Sequence, residues 1–451
     1  MENMDILSKS HIHFVGICGI SMSSLAILTR EFGIKVTGSD AKYDDIVDNL
    51  RAKDIEIAIG HKAENIVDTC DLVVYTGAID SENIELKTAL NKGIPIMERS
   101  EYLGMISYKY DHVIAIAGTH GKTTTTSMIA LIFSYAGYSP TIHIGGISNN
   151  FNSNIVIGDR EYFITEACEY KNSFRYIDSE TAVITSTDPD HLDSYSSVLE
   201  LKRAYISFAK KSKNLIVTEH SKDIHKKGNT IRVGIEDKSN IVAKNIKVDS
   251  RGRYSFDVWY YDTYLTNFKL NSVGRYNIEN ALCAIAVSLE YGIKVSTIYD
   301  ALLDYKGVMR RHEKIATIHG KPIICDYAHH PTEIRNTLSA YRLLYRRIMC
   351  VFQPHTYSRT LNFMVDFRTC FKGVHSLVVY KTYPAREKKI EGGDAVDLYE
   401  SVKIQPEKKI YLANKYELKK FVLQNVDNVD CVLVLGAGNI YNIAKNVLKS
   451  Q

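Results

Sequence analysis

HVIAIAGTHGKTTTTSMIA, His112 to Ala130, is the stretch whose reading decides the fold. Val113 to Ala117 is an apolar run of strand length, and Gly118-Thr119-His120-Gly121-Lys122-Thr123 is a glycine-flanked turn. Thr124 then leads into the helix-compatible Met128 to Ile132. The order is strand, phosphate loop, helix. Glycines let backbone amides converge on phosphate oxygens, and the helix N-terminus adds favourable partial charge. Lys122 reaches the terminal phosphates, and the Thr123 hydroxyl can ligate Mg²⁺. This is the chemistry of an ATP or GTP site. Of the general pattern G-x-x-x-x-G-K-[ST] only the GKT core is met, because its first glycine falls at Ile116.

Working outward, the 451 residues suggest about three domains. Apolar content of 45% and charged content of 24% are those of an ordinary globular chain. The net charge of +4 is spread along the sequence. The short basic runs at Tyr341 to Arg347 and Arg386 to Lys389 read as solvated faces, so no nucleic-acid partner is expected. Eight cysteines lack C-x-x-C spacing and several sit in apolar runs, which points to reduced thiols and a cytoplasmic location. The N-terminal stretch has no basic region followed by an apolar core. No apolar run approaches the roughly 18 residues of a membrane helix, so neither export nor membrane insertion is expected.

Before the loop, the sequence predicts a strand at Ile12 to Val15, the turn Gly16-Ile17-Cys18-Gly19, a helix through Phe32 and a second strand at Ile34 to Thr37. Gly38-Ser39-Asp40 follows. This βαβ unit has a nucleotide-type glycine turn. Gly16-x-x-Gly19 lacks G-x-G-x-x-G spacing, so a dinucleotide is weakly supported, whereas another diphosphate on the helix N-terminus fits. Further strands are expected at Ile55 to Ile59 and Leu72 to Thr76, a helix at Ile84 to Asn91, and a domain edge near Ser107 to Asp111.

After the loop, Thr165 to Tyr170 and Asp188 to Asp193 place acids and a histidine at strand ends, where a parallel sheet presents its chemistry. Glu166 and Thr123 could supply oxygen ligands to Mg²⁺ beside a triphosphate. Arg251 to Asn267 reads as antiparallel strands with Trp259 in the core, and Gly274 to Ala281 leads into an apolar helix. From about Arg311, strands are expected at Ile323 to Cys325, Ile348 to Phe352, Ser376 to Tyr380 and Cys431 to Leu435. The turns after them are polar. Asp326 to Glu333, Gln353 to Thr360, Tyr383 to Glu387 and Gly436 to Asn439 together suggest a binding edge.

A phosphate loop with nearby acids, a separate nucleotide-like unit before it and a polar edge after it imply three ligands. ATP-driven condensation would use them all. Phosphoryl transfer to a carboxylate makes an acyl phosphate, which a bound amine attacks.

The ordered motifs HFVGICGISMSSLA, VTGSD, GHKAEN, GTHGKTTT, EACEYKNSF, DHLD, GRYNIENALCAIA, GVMRR, DYAHHPTEI, FQPHTYSRT, YPARE and GAGNI jointly resemble the Mur ligases of peptidoglycan synthesis over nearly the whole chain. The resemblance implies an α/β protein of three domains. These are a Rossmann-like N-terminal domain (1–108) for the UDP-sugar, a central P-loop ATPase domain (109–310) and a Rossmann-like C-terminal domain (311–451) for the amino acid.

It implies ATP-dependent joining of L-alanine to UDP-N-acetylmuramate, with Mg²⁺, by a monomer or weak homodimer. Gly16, Gly19, Ser39 and Asp40 would hold the UDP-sugar. Gly118, Thr119, His120, Gly121, Lys122, Thr123 and Thr124 would bind ATP, with Asn280 and Asp326 by the adenosine and Arg310 near the phosphates. Thr123, Glu166 and His191 would hold the metal, while His330, His355 and Arg359 would hold the amino acid. Lys122, Glu166, His191, Arg310 and His330 would form the catalytic set.

The sequence departs from the family pattern at Ser186-Thr187, usually Asn-Ile, at Tyr276, usually His, and at Asn439, usually Asp. Among other readings, a ligase recycling a tripeptide onto the same nucleotide sugar shares the glycine turn and ATP loop, while EACEY, GHKAEN and FQPHTYSRT favour the L-alanine enzyme. An NAD-dependent oxidoreductase would leave GKTTT unexplained.

Overall fold

Parallel strands covered on both faces need continuous apolar runs, and this chain supplies them at Ile348–Phe352 and Cys431–Leu435; His11–Val15 is likewise buried at every position, with two histidines among its five residues. The computed structural model describes residues 5–190, 194–226, 228–236, 238–405 and 408–448. It divides into two units. One comprises Met1–Thr187, Leu199–Arg232 and Cys283–Thr297, the other Asp188–Val198, Val233–Leu282 and Ile298–Gln451.

In the first unit, a parallel sheet runs in the order Glu56–Ile59, Lys35–Asp40, His11–Val15, Leu72–Tyr75, Ile96–Glu98. The order reverses at His11–Val15, so the glycine turn after it lies at the topological switch point, where such sheets bind ligands. The second strand continues through Gly38, Ser39 and Asp40, beyond the Thr37 limit read from the sequence. Gly38 permits this, because a Cβ there would stand 2.5 Å from Ile17 Cδ1 and 2.8 Å from the Phe14 carbonyl oxygen.

The phosphate-loop strand, His112–Ala117, lies between Thr181–Ile184 and Tyr162–Glu166, parallel to both. Asn214–Thr218 lies beyond the first of these neighbours, Thr141–Ser148 beyond the second, with Ser153–Val156 antiparallel to Thr141–Ser148. A second switch point thus carries the loop Gly118 to Gly121. Thr185 and Ser186, just past the end of one neighbour, and Glu166, the last residue of the other, fall beside it.

In the second unit, Ile241–Val248, Arg253–Tyr260 and Thr263–Val273 form an antiparallel meander. Phe256, Val258 and Phe268 are fully buried there. Strand alternation puts Trp259 on the opposite face, half-buried under Lys244 and against Tyr264, and not in the core as expected.

The C-terminal sheet runs in the order Glu313–Ile318, Lys321–Asp326, Cys431–Leu435, Ile348–Phe352, Ser376–Tyr380, Lys409–Leu412, with only the first pair antiparallel. Alternate residues of its strands feed two cores. Cys350, Phe352, Leu377 and Leu433 face one side, and Met349, Val351, Val378 and Val432 the other. The sheet's outer strands, Glu313–Ile318 and Lys409–Leu412, escaped the sequence reading because they are only partly buried and carry charges, as edges do.

Among the described residues no helix is long and apolar enough to cross a membrane. All eight cysteines are free thiols.

Candidate active site

The phosphate loop is shaped by two glycines. Gly118 has φ +130°, and a Cβ on it would stand 2.3 Å from Thr185 Oγ1 and 2.8 Å from the Ser186 amide. Thr119 N donates to the Ser186 carbonyl at 3.1 Å, and His120 N donates to Ser186 Oγ at 2.9 Å. The Thr185 hydroxyl donates to the His120 carbonyl. Ser186, a departure from the family pattern, is therefore one wall of the loop. Gly121 caps the helix Lys122–Tyr135 at φ +86°, with no side-chain cap and no acid in the first turn. Such an end leaves its first amides and positive dipole to an anion.

Lys122 and Glu169 form a buried pair, 16% and 2% exposed, with Nζ 2.9 and 3.1 Å from the two carboxylate oxygens. The ammonium also donates to the Gly118 carbonyl. Burial alone would push the lysine pKa down. The Glu169 charge outweighs it and holds the pKa above its ordinary value, so the group is cationic. Glu166 ends its strand with Oε1 accepting from the Gly145 amide at 2.7 Å, and a Cβ at Gly145 would stand 2.9 Å from Oε2. Thr123 follows Lys122 on the helix and is half-buried. A carboxylate and a hydroxyl are the hard oxygen donors that Mg²⁺ takes. His191 lies outside the described residues, and among those described no group of three or more His, Cys, Asp or Glu gathers as a metal cage.

At the other switch point, Gly16 (φ +80°) and Ile17 donate their amides to the Ser39 carbonyl at 2.8 and 3.0 Å. Asp40 Oδ2 accepts from the Cys18 amide at 3.0 Å, so this carboxylate shapes the turn. The buried Ser39 hydroxyl donates to Glu85 Oε2 at 2.6 Å, and His61 Nδ1 meets the same oxygen at 3.0 Å. Gly19 caps the helix Ile20–Glu31, again with no side-chain cap. Ser21 on that helix meets His143 Nε2 at 3.0 Å, and His143 Nδ1 meets Thr165 Oγ1 at 3.0 Å, next to Glu166. Burial, with the Arg99 charge, holds His143 down to about 3, so this linking ring is neutral.

In the second unit, Arg310 sits in the left-handed region (φ +64°) and donates through Nη2 to the Gly438 carbonyl at 2.8 Å, with its guanidinium 4.7 Å from the Tyr327 ring. Asp326 accepts from the Ala328 amide at 2.9 Å and the His312 amide at 3.0 Å. Tyr276 pairs through its hydroxyl with His312 Nε2 and stacks on that ring, 5.9 Å between centroids. Asn280 donates to Asn277 Oδ1 at 3.0 Å, and Asn277 donates to the Val273 carbonyl at 2.7 Å. The departure at Asn439 accepts from Gln353 Nε2 at 2.9 Å.

His330 caps the helix Pro331–Arg342, its Nδ1 accepting from the Thr332 amide at 3.3 Å. His329 Nδ1 lies 3.2 Å from Glu333, and its ring meets that of His355 at 5.8 Å. Arg359 grips Asp190 with Nε 3.2 Å from Oδ1 and Nη2 3.3 Å from Oδ2, and its Nη1 donates to His355 Nδ1 at 3.1 Å. Burial, then the His329 and Arg359 charges, holds His355 down to about 3. Burial and Arg359 outweigh Glu333 and hold His329 down to about 4. Both rings are neutral at pH 7.

The loop residues Gly118 to Thr124 and Glu166 thus share one strand-end cluster, and His355 and Arg359 share another with His329 and Asp190. Sequence reasoning missed Glu169, Ser186, Asp190 and His329 as side chains that organise these clusters. Glu169, Asp190 and His329 lie within motifs noted for other residues, and Ser186 stands out only as a departure from the family pattern; the partners of Glu169, Ser186 and Asp190 are far along the chain.

Comparison with known proteins shows the family. Residues 11–110 match the Mur ligase family, catalytic domain; residues 116–288 match the Mur ligase middle domain; residues 310–438 match the Mur ligase, glutamate ligase domain. The chain is similar to the UDP-N-acetylmuramate--L-alanine ligase of Lachnoclostridium phytofermentans, 37% identical over 470 residues and covering 100% of each chain. Among solved structures, it is similar to the UDP-N-acetylmuramate-alanine ligase MurC of Thermotoga maritima, with TM-score 0.83, 26% identity and coverage of 97% and 98%. It is also similar to a murein peptide ligase of Psychrobacter arcticus, with TM-score 0.73, 25% identity and coverage of 97% and 98%. Matched in three consecutive segments as well as over its whole length, the chain belongs to the Mur ligase family.

Proposed function

We propose that the chain joins L-alanine to UDP-N-acetylmuramate at the expense of ATP, in the making of peptidoglycan precursors. The observation that carries the reading is the cationic Lys122, held between Glu169 and the Gly118 carbonyl at a loop that opens an uncapped helix. A ligase named for this reaction is 37% identical over the same length.

In this reading, residues 1–108 take the UDP-sugar, with Gly16, Gly19, Ser39 and Asp40 at its diphosphate and nucleoside. Residues 109–310 take ATP, on Gly118 to Thr124 with Asn280, and residues 311–451 take the amino acid, with Asp326 lying by the adenosine. A carboxylate oxygen of the muramate attacks the terminal phosphorus and ADP leaves, giving an acyl phosphate. Lys122, and Arg310 near the phosphates, stabilise the charge that develops on the transferred oxygens.

His330, His355 and Arg359 orient the amino acid so that its neutral amine meets the acyl carbon. The tetrahedral adduct then expels phosphate, which carries off the amine's extra proton, and leaves the amide. Thr123, Glu166 and His191 would hold Mg²⁺, which when bound neutralises phosphate charge. The enzyme would work in the cytoplasm as a monomer or weak homodimer.

Phosphate release with Mg²⁺, ATP and UDP-N-acetylmuramate, with L-alanine or a tripeptide as the amine, tests the reading. Release with L-alanine is expected. Release with the tripeptide alone would instead make the chain a recycling ligase, the reading to which the likeness to a murein peptide ligase lends some weight.

A further inference from the structure

The Arg359 guanidinium is 10% exposed and the Asp190 carboxylate 8% exposed, and the two meet as a fork at 3.2 and 3.3 Å. This is the two-bond geometry with which a guanidinium takes any free carboxylate, including the α-carboxylate of an amino acid. Its third nitrogen is turned to His355 Nδ1 at 3.1 Å.

We propose that Asp190 is a resident carboxylate, seated where the amino acid's own carboxylate belongs, and that the substrate must displace it from Arg359. The proposal rests on the reading that Arg359 receives the amino acid. Charge balance supports it. With His355 and His329 neutral, the Arg359–Asp190 fork carries one charge of each sign, and beyond it stand Glu333 on His329 and Arg310, whose charge reaches His355, again one of each sign. A second carboxylate arriving with Asp190 still in place would put two anions on one guanidinium in a poorly solvated site, where like charges repel strongly. Exchange keeps the count constant.

Two consequences follow. Before substrate arrives, Asp190 keeps a buried cation compensated and its fork aimed. It also sets the apparent affinity for the amino acid, because only the fraction of molecules with the fork released can bind. A ligand without a carboxylate gains nothing from the exchange, so the pair filters for amino acids over simple amines.

The test compares full-length wild type with Asp190→Asn, which keeps shape and removes charge. With ATP, Mg²⁺ and UDP-N-acetylmuramate saturating, KM for L-alanine should fall about tenfold in the variant. An unchanged or raised KM would overturn the proposal and make Asp190 a group that serves the bound amino acid. Thermal unfolding supplies a readout independent of turnover. Sodium acetate should raise the melting temperature of Asp190→Asn at concentrations that leave wild type unmoved, with sodium chloride as control. No acetate rescue also counts against it.

Should Asp190→Asn not fold, Asp190→Glu keeps the charge but loosens the fork, and should lower KM by about twofold to threefold. If wild type itself releases no phosphate with L-alanine, it is the proposed function that fails. The acetate arm still reads whether a free carboxylate replaces Asp190 on Arg359.

Discussion

Two buried cations face two buried carboxylates in this protein, and they are built differently. Lys122 and Glu169 are 47 residues apart, one opening the helix after the loop and the other just past the strand Tyr162–Glu166, and a backbone carbonyl shares the ammonium. Arg359 and Asp190 are 169 residues apart and meet through side chains alone, with a histidine completing the set. An ammonium is a compact charge that a fixed loop can hold permanently. A guanidinium fork is matched to a planar carboxylate and so can trade one for another. The lysine pair is thus an anchor for chemistry, and the arginine pair an exchangeable seat.

The largest effect is expected where the anchor is lost. Lys122→Ala should cut ATP-dependent phosphate release on the order of a thousandfold while the protein stays folded, measured at saturating substrates beside circular dichroism. Full activity would refute the ATP assignment.

Glu169→Gln leaves the ammonium buried with only carbonyl partners, and should cost about 3 to 5 kcal/mol in denaturant unfolding. Because the lysine's folded pKa is raised, this stabilisation is fully present below its unfolded value of 10.5 and is lost only as pH climbs through the folded value. In wild type the pair should therefore hold well into the alkaline range.

Gly118→Ala tests the backbone around the anchor. Its Cβ would meet Thr185 Oγ1 at 2.3 Å at a φ of +130°, which should destabilise by about 1 to 3 kcal/mol from backbone strain alone and abolish the thermal shift given by ATP.

The smallest effect probes the neighbourhood of the seat. His329 has a folded pKa near 4 against an unfolded 6.5. Below 6.5 the unfolded chain binds a proton that the buried ring refuses, so stability falls as pH drops from 6.5 toward 4. His329→Asn should flatten that slope by about 1 kcal/mol, read from melting curves across the window. The two regions would then fail at opposite ends of the pH scale, the histidine edge in acid and the lysine anchor in alkali.

The same contrast explains what the sequence made legible. The loop Gly118 to Thr124 is contiguous, its geometry set by glycines and a helix start, so it can be read from the letters. The strand Cys431–Leu435 and the helix Ile84–Asn91 announce themselves equally well by local pattern. Glu169 was visible only as a letter in EACEY, since its worth depends on the strand pairing that brings it to Lys122. Asp190 gave still less warning, because nothing local tells an acid that its partner lies beyond the next sheet. Trp259 misled for a simpler reason. Size suggested burial, whereas alternation along Arg253–Tyr260 gave the inner face to Phe256 and Val258.

The C-terminal sheet has a consequence for how the protein is made. Its last strand in the chain, Cys431–Leu435, is the one that joins Lys321–Asp326 to Ile348–Phe352, and those two strands do not pair with each other. Until Cys431–Leu435 has emerged from the ribosome, Lys321–Asp326 and Ile348–Phe352 therefore keep their facing edges unpaired. Such edges invite pairing with other chains. A chain ending before residue 431 would lack the strand that joins the two halves, and so would lose the sheet itself and not merely a little of its stability.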